Sequence, residues 1–303
     1  MSEVRLAQKN EIVRQKEIWK RCFGDEDSFI DFYYANRYKE DATLLLLEEG
    51  EIAAMLTMIP VKMVETNNRS FDTVMLYAIA THPEYQNRGL ATQLMNSCNE
   101  LLAANHKEFS ILVPAEKQLF DFYRRQGYRE GFYIREAILT HDRIESLDSV
   151  NSSHYIMPPM PPTKSTPITS EEYNRRRNKQ LEGRLYIAYA EEEIAYQKKL
   201  SQLSGADIYA IDVQGIQGCA AIERINPDKL LIKEILLPEE FITQGVRQIA
   251  QCLPAKEYLI RTPAYLGVAL GGEIRAFGMY RSQKEMNLEK TPAEQGYLGF
   301  AFD

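Results

Sequence analysis

The sequence predicts an α/β (α+β) protein of two domains, each a mixed, mostly antiparallel sheet flanked by helices. Three observations predict it. The 303 residues are about twice the length of an ordinary domain. Apolar patterning over the first half gives the order β-α-α-β-β-β-α-β-α-β. The second half repeats part of that order: Glu108, Ile111, Pro114 and Ala115 recur as Glu257, Ile260, Pro263 and Ala264, each set following an apolar strand and an amphipathic helix. The division that follows is 1–145 for the first domain, 146–170 for a Pro-rich linker and 171–303 for the second.

Residues 4–7 read as a short strand and 9–23 as a helix with Ile12, Val13, Ile18, Trp19 and Cys22 as its apolar members, ended by Gly24. Asp25, Glu26, Asp27 and Ser28 open a second helix that runs to Arg37, because acids suit the positive end of a helix. Its Phe29, Ile30, Phe32, Tyr33 and Tyr34 are too many for one narrow stripe, and core packing accounts for them. Strands 42–48 and 52–64 flank the turn Glu49-Gly50-Glu51; a polar hairpin turn over 65–70 leads into the strand 71–80.

The stretch from Met75 to Leu94 organises the domain. Its apolar run ends at His82-Pro83, and Gln86 to Ala91 form a polar turn that opens a helix. Leu90, Ala91, Leu94, Met95, Cys98, Leu101 and Leu102 recur at three- and four-residue steps, opposite Gln93, Asn96, Asn99 and Glu100. Such a turn suits an anion: the first helical turn has unpaired N–H groups, and Gly89 lets the backbone come close to a phosphate. A strand over 109–113, a helix over 116–126 capped by Gly127 and a final strand over 131–140 close the domain.

Pro158, Pro159, Pro161, Pro162 and Pro167 rule out helix in the linker and predict an extended crossing. Strands at 217–225 and 229–237, a helix at 239–252 and a strand at 257–264 follow, and 276–281 and 297–302 can complete a second sheet. Where the first helix begins with Gln86-Asn87-Arg88-Gly89, its counterpart begins with Leu237-Pro238-Glu239-Glu240. Two carboxylates at that helix start repel a pyrophosphate, so only the first domain is expected to bind one.

Gln86-Asn87-Arg88-Gly89-Leu90-Ala91 resembles the Q/R-x-x-G-x-G/A signature of the GNAT acetyltransferase superfamily, with Ala91 replacing the more frequent second glycine. Ile79-Ala80-Thr81-His82-Pro83-Glu84-Tyr85 resembles the family's preceding strand and turn. Phe122-Tyr123-Arg124-Arg125-Gln126-Gly127-Tyr128 resembles its downstream F-Y-x-x-x-G-F/Y element. The element order of residues 1–145 matches the family's, and the second domain is read as a degenerate copy. Tandem members similar to the Eis acetyltransferases pair one active and one degenerate domain, although 303 residues leave no room for the sterol-carrier-like domain of the Eis proteins.

The resemblance implies an N-acetyltransferase that moves acetyl from acetyl-CoA, a co-substrate, to a primary amine of a small molecule or peptide by direct attack in a ternary complex. A non-catalytic acyl-CoA sensor and an aminoacyl transferase of tandem type remain alternatives. It assigns the pyrophosphate to Gln86, Asn87, Arg88, Gly89, Leu90 and Ala91 and the pantetheine arm to the strand segment Ile79, Ala80 and Thr81. Arg88 either contacts phosphate or is a solvated loop arginine; Tyr123 is either the general acid for the leaving thiolate or a core aromatic. For the base the strand offers Thr73, with Asp72 beside it and Tyr77 further along; similarity to Eis adds the C-terminal Asp303. The aromatic second helix is expected to roof the acceptor site in part, as it does in GNAT-like folds.

The net charge of −7 argues against a general nucleic-acid binder, whose footprint is basic. Cys22, Cys98, Cys219 and Cys252 form no C-x-x-C pair, which predicts reduced, mostly buried thiols; the scattered His82, His106, His141 and His154 give no metal spacing. The N-terminus does not read as a signal peptide and no apolar stretch reaches the length of a membrane span, so a cytoplasmic protein is expected. The sequence specifies neither the acceptor nor the oligomeric state.

Overall fold

The computed structural model describes residues 2–147, 165–282 and 296–302. The chain falls into two compact units. The first comprises Met1–Lys62, Phe71–Glu130 and Gly278–Asn287, and the second Met63–Ser70, Gly131–Phe277 and Leu288–Asp303. Neither is one continuous stretch, so the units do not divide at residue 145.

In the first unit, β1 (Ser2–Leu6), α1 (Ile12–Phe23), α2 (Asp27–Asn36), β2 (Thr43–Glu48), β3 (Glu51–Val64), β4 (Ser70–Thr81), α3 (Leu90–Ala104), β5 (Phe109–Leu112) and α4 (Lys117–Arg125) follow the expected order. The sheet runs β1-β2-β3-β4-β5. Gly24 ends α1 in the left-handed region, φ 75°, with its N–H on the Lys20 carbonyl, the C-terminal device that only glycine adopts without strain. Leu90, Leu94, Met95, Cys98 and Leu102 of α3 pack with Leu44, Leu46, Leu56, Val74, Leu76 and Leu112 of the sheet and with Tyr123 of α4. Burial of this stripe fixes where α3 starts.

β4 and β5 are parallel only from Thr73–Phe109 to Leu76–Leu112. β5 then ends, while β4 continues to Thr81. Within that extension Ala78 has φ 49°, a left-handed residue of the kind that bends a strand at a bulge. The side-chain order agrees with one extra residue: Leu76 and Ile79, three apart, both pack on the α3 core.

The second unit contains β6 (Arg129–Thr140), α5 (His141–Ser146), β7 (Thr166–Pro167), α6 (Ser170–Gln180), β8 (Tyr186–Ala188), α7 (Glu191–Leu203), β9 (Ile208–Val213), β10 (Ile216–Asn226), β11 (Lys229–Leu236), α8 (Glu239–Cys252), β12 (Glu257–Pro263) and the first part of β13 (Glu273–Ser282). Its strands run β7-β9-β10-β11-β12-β6. β11 and β12 are parallel from Lys229–Glu257 to Ile232–Ile260 with α8 between them in sequence, so the repeated segment is the β4-α3-β5 unit built twice.

The last strands depart from expectation. β6, read as the closing strand of the first domain, lies antiparallel on β12. The antiparallel neighbour of β5 is β13, over Met279–Ser282. Each unit therefore takes its closing strand from the other half of the sequence. Alternating side chains specify which face of such a strand is buried; they do not specify its partner.

Residues 297–302 form no strand. Gly296 and Tyr297 make single bridges to Phe132 and Tyr186, and the segment through Phe302 is buried. Gly299 at φ 84° and Phe302 at φ 59° break the extended run. Most of the Pro-rich linker lies outside the described residues, but Thr166 and Pro167 pair with Ala210 and Tyr209 at the sheet edge, where proline's missing N–H is tolerated. The four cysteines are free; Cys98 and Cys219 are buried, Cys22 is half-buried and Cys252, against expectation, is exposed. Among the described residues no helix is long and apolar enough to cross a membrane, and no group of three or more His, Cys, Asp or Glu is placed to hold a metal ion.

Candidate active site

The turn between β4 and α3 leaves a run of amides unspent. His82 caps a short 3-10 turn over Pro83–Tyr85, its Nδ1 accepting from the Glu84 N–H at 3.4 Å. Gln86 N–H donates to the Pro83 carbonyl and Gln93 N–H to that of Gly89. Between them, the amides of Asn87, Arg88, Gly89, Leu90, Ala91 and Thr92 have no protein acceptor among the described residues. Asn87 (φ 60°) and Gly89 (φ 76°) are both left-handed, on either side of Arg88, and alternation of this kind turns successive N–H groups toward one concavity that suits an anion. A Cβ at Gly89 would meet nothing within 4 Å, so the space before the helix start is open. This donor set, at the positive end of α3, fits a pyrophosphate.

The other cofactor candidates separate by position. Gln86 is an exposed structural brace, its Nε2 bonding the Thr81 carbonyl at 3.0 Å, and its own N–H is spent. Arg88 donates to the Glu84 carbonyl at 2.9 Å and stacks over Tyr85, 5.3 Å from the ring centroid. His82 N–H donates to Ala53 on β3, so strand alternation puts the backbone of Ala80 toward β3 and that of Ile79 and Thr81 toward the side β5 has vacated. Ala80 is buried and is not on the open edge. The Thr81 carbonyl already accepts from Gln86 and from Cys22 Sγ at 3.2 Å, which leaves Ile79 as the principal backbone partner for an added strand.

Tyr77 marks the inner end of this edge. It packs at 5.8 Å on Trp19 of α1 and at 5.9 Å on Tyr33 of α2. Trp19 and Tyr33 are 4.5 Å apart and almost fully buried; Phe29, Phe32 and Tyr34 are half-buried. The aromatic helix is thus partly core and partly an accessible wall above the point where β4 opens. Sequence reasoning missed how α1 holds this segment through Trp19 and Cys22, contacts that span about 60 residues and leave no local signal.

Tyr123, on α4, is 7% exposed and lies in the cluster that holds Leu90 and Leu94. Its hydroxyl has no partner among the described residues, and burial pushes the phenol up to about 12, so it carries its proton at neutral pH. Asp72 is at the wrong end of β4. It is exposed, near Lys62 at 3.8 Å and Lys107 at 3.6 Å, and nine strand residues at about 3.3 Å each separate it from Thr81. A base at the open edge cannot be Asp72. Thr73 is buried, its hydroxyl donating to the Phe71 carbonyl at 3.1 Å. Asp303 lies outside the described residues; Phe302 before it packs at 5.8 Å on both Tyr189 and Tyr196 in the second unit.

At the corresponding helix start in the second unit, the Glu239 carboxylate accepts from the N–H groups of Gly267 at 2.6 Å and Val268 at 2.9 Å. An acidic side chain there serves a neighbouring loop.

Residues 3–131 match the family model of the acetyltransferase (GNAT) domain. No curated protein matches the chain. Among solved structures, a GCN5-related N-acetyltransferase from Anabaena variabilis superposes with a TM-score of 0.71 at 15% identity, covering 93% of this chain and 73% of that one. One from Kribbella flavida gives 0.67 at 13%, covering 93% and 72%, and Eis1 from Mycobacterium abscessus gives 0.64 at 11%, covering 92% and 73%. These likenesses concern the fold. Together with the loop at Gln86–Ala91, the match places the chain among the GNAT acetyltransferases, with its acyltransferase domain over residues 3–131.

Proposed function

We propose that the chain is an N-acetyltransferase that moves acetyl from acetyl-CoA to a primary amine of a small molecule or peptide by direct attack in a ternary complex. The observation that carries this reading is the run of unspent amides from Asn87 to Thr92, set between left-handed residues at a helix N-terminus. Asn87, Arg88, Gly89, Leu90 and Ala91 hold the pyrophosphate through backbone N–H groups, and Ile79 pairs with the pantetheine arm along the edge that β5 leaves open. Acetyl-CoA supplies the activated thioester. The neutral amine attacks the carbonyl carbon, the new C–N bond forms, the C–S bond breaks and the electron pair stays on sulfur. Tyr123 gives its phenolic proton to that thiolate, and the proton lost by the amine leaves to solvent.

Calorimetric titration with acetyl-CoA, followed by a thiol-release assay over a panel of amines, tests the reading. Binding without thioester loss for every amine would overturn it. For Tyr123→Phe, which keeps the ring and its packing, kcat is expected to fall about 10- to 100-fold, the range of a general acid, with acetyl-CoA affinity unchanged. Unaltered kcat would remove Tyr123 from the chemistry.

A further inference from the structure

The aromatic wall over the open end of β4 says more about the acceptor than the cofactor loop does. A pantetheine arm that enters at Gly89 and runs back along Ile79 comes to the end of the exposed edge at Tyr77, because the next residue, Leu76, is paired with Leu112 of β5. The thioester therefore stops beside Tyr77. On that face stand Trp19 and Tyr33, and the ring system continues outward from Trp19 to Tyr34 at 6.2 Å and from Tyr34 to Tyr38 at 5.0 Å. Tyr34, Tyr38 and Tyr77 are only half-buried.

Two features narrow the chemistry this wall accepts. A primary ammonium already rests on it: Lys16 Nζ lies 5.4 Å from the centroid of the Tyr34 ring, the arrangement by which aromatic faces attract cations. Every carboxylate on α1 and α2 is meanwhile committed to a cation. Glu17 pairs with Arg14 at 2.7 Å and Arg21 at 3.1 Å, Asp27 with Lys20 at 2.7 Å and Asp31 with Lys16 at 2.6 Å. The wall offers ring faces to one amine and its apolar body, with no spare anion for the second and third ammonium of a polyamine.

We infer that the acceptor is a monoamine on an aryl-alkyl body, seated against Tyr77, Trp19 and Tyr34. This rests on the acetyl-transfer reading above, and the experiment separates the two. Trp19 is the sole tryptophan of the chain, so its emission reports on the wall independently of turnover. The native protein, loaded with CoA, is titrated with phenethylamine, spermidine and lysine; acetylation of each is then followed by thiol release. Phenethylamine is expected to change Trp19 emission saturably and to show a KM about tenfold below that of either competitor. Tyr34→Leu is expected to raise the phenethylamine KM about tenfold, with kcat within about twofold and the acetyl-CoA titration unchanged. Equal KM values for the three amines, no emission change with phenethylamine, or a Tyr34→Leu effect shared by all three overturns the aryl-alkyl assignment. Saturable, phenethylamine-selective emission without thiol release from any amine upholds the subsite and overturns acetyl transfer.

Discussion

Gly89→Glu abolishes acetyl-CoA binding in a folded protein. The position is exposed and a Cβ there meets nothing within 4 Å, so the side chain enters the open space before α3 without disturbing the core. Once there, its carboxylate occupies the concavity formed by the unspent amides of Asn87 to Thr92 and opposes any phosphate that approaches. Hydrogen bonds to a charged group carry about 1.5–3 kcal/mol each, so losing even two of them to the intruding carboxylate weakens binding by at least about 100-fold. The backbone contributes a complication: Gly89 sits at φ 76°, and a β-carbon in the left-handed region costs roughly 1–2 kcal/mol. Gly89→Asn separates the two effects, because asparagine tolerates that conformation and adds no charge. The expected order of affinity in calorimetry is native, then Gly89→Asn within about tenfold, then Gly89→Glu without measurable heat. Equal loss in both variants would assign the effect to backbone strain, and undiminished binding in Gly89→Glu would move the cofactor away from this loop.

This site is legible in sequence because its chemistry is local. A glycine, a polar turn and the start of an amphipathic helix fall within a few residues of one another, and the repeat of residues 108–115 at 257–264 announces the second β-α-β unit in the same way. The contacts that hold the site in place are not local. Cys22 Sγ meets the Thr81 carbonyl and Trp19 meets Tyr77 only because α1 folds back on β4, and no spacing within α1 encodes that. The exchange of β6 and β13 between the units is illegible for a related reason, since a buried strand face does not name its neighbour. Some signals were present and passed over: Thr169 caps α6 by accepting from the Glu172 N–H at 3.2 Å, in the S/T-x-x-E pattern of a capping box, and Glu191, Glu192 and Glu193 open α7. Others mislead. Asn174-Arg175-Arg176-Arg177-Asn178 reads as a solvated run, yet only Arg175 is exposed.

Arg177→Leu is expected to destabilise the second unit severely, by about 3–5 kcal/mol, the cost of breaking a buried ion pair by removing one partner. The guanidinium is fully buried. Its Nε donates to both oxygens of the equally buried Glu234, at 3.0 and 3.2 Å, its Nη1 to the Ile187 carbonyl at 2.7 Å and its Nη2 to the Leu298 carbonyl at 3.1 Å. The aromatic rings of Tyr189, Tyr297 and Phe300 surround it. Burial alone would lower its pKa, but the Glu234 carboxylate outweighs that and holds it above its ordinary value. Leucine leaves the carboxylate with Tyr173 as its remaining donor in this cluster, at 2.7 Å, and unties the segment 296–302, whose Leu298 and Phe300 carbonyls keep only the Tyr189 hydroxyl. The double variant Arg177→Leu with Glu234→Leu removes the orphaned charge as well, so it should recover a good part of the loss. Gly299→Ala attacks the same node by shape, since its Cβ would lie 2.6 Å from Glu234 Oε2 and 2.7 Å from Arg177 Nη2. Urea unfolding of the three variants, with limited proteolysis to follow release of the tail, checks the argument. Arg177→Leu as stable as the native chain, or a double variant worse than the single, would show that this pair does not hold the C-terminal segment in place.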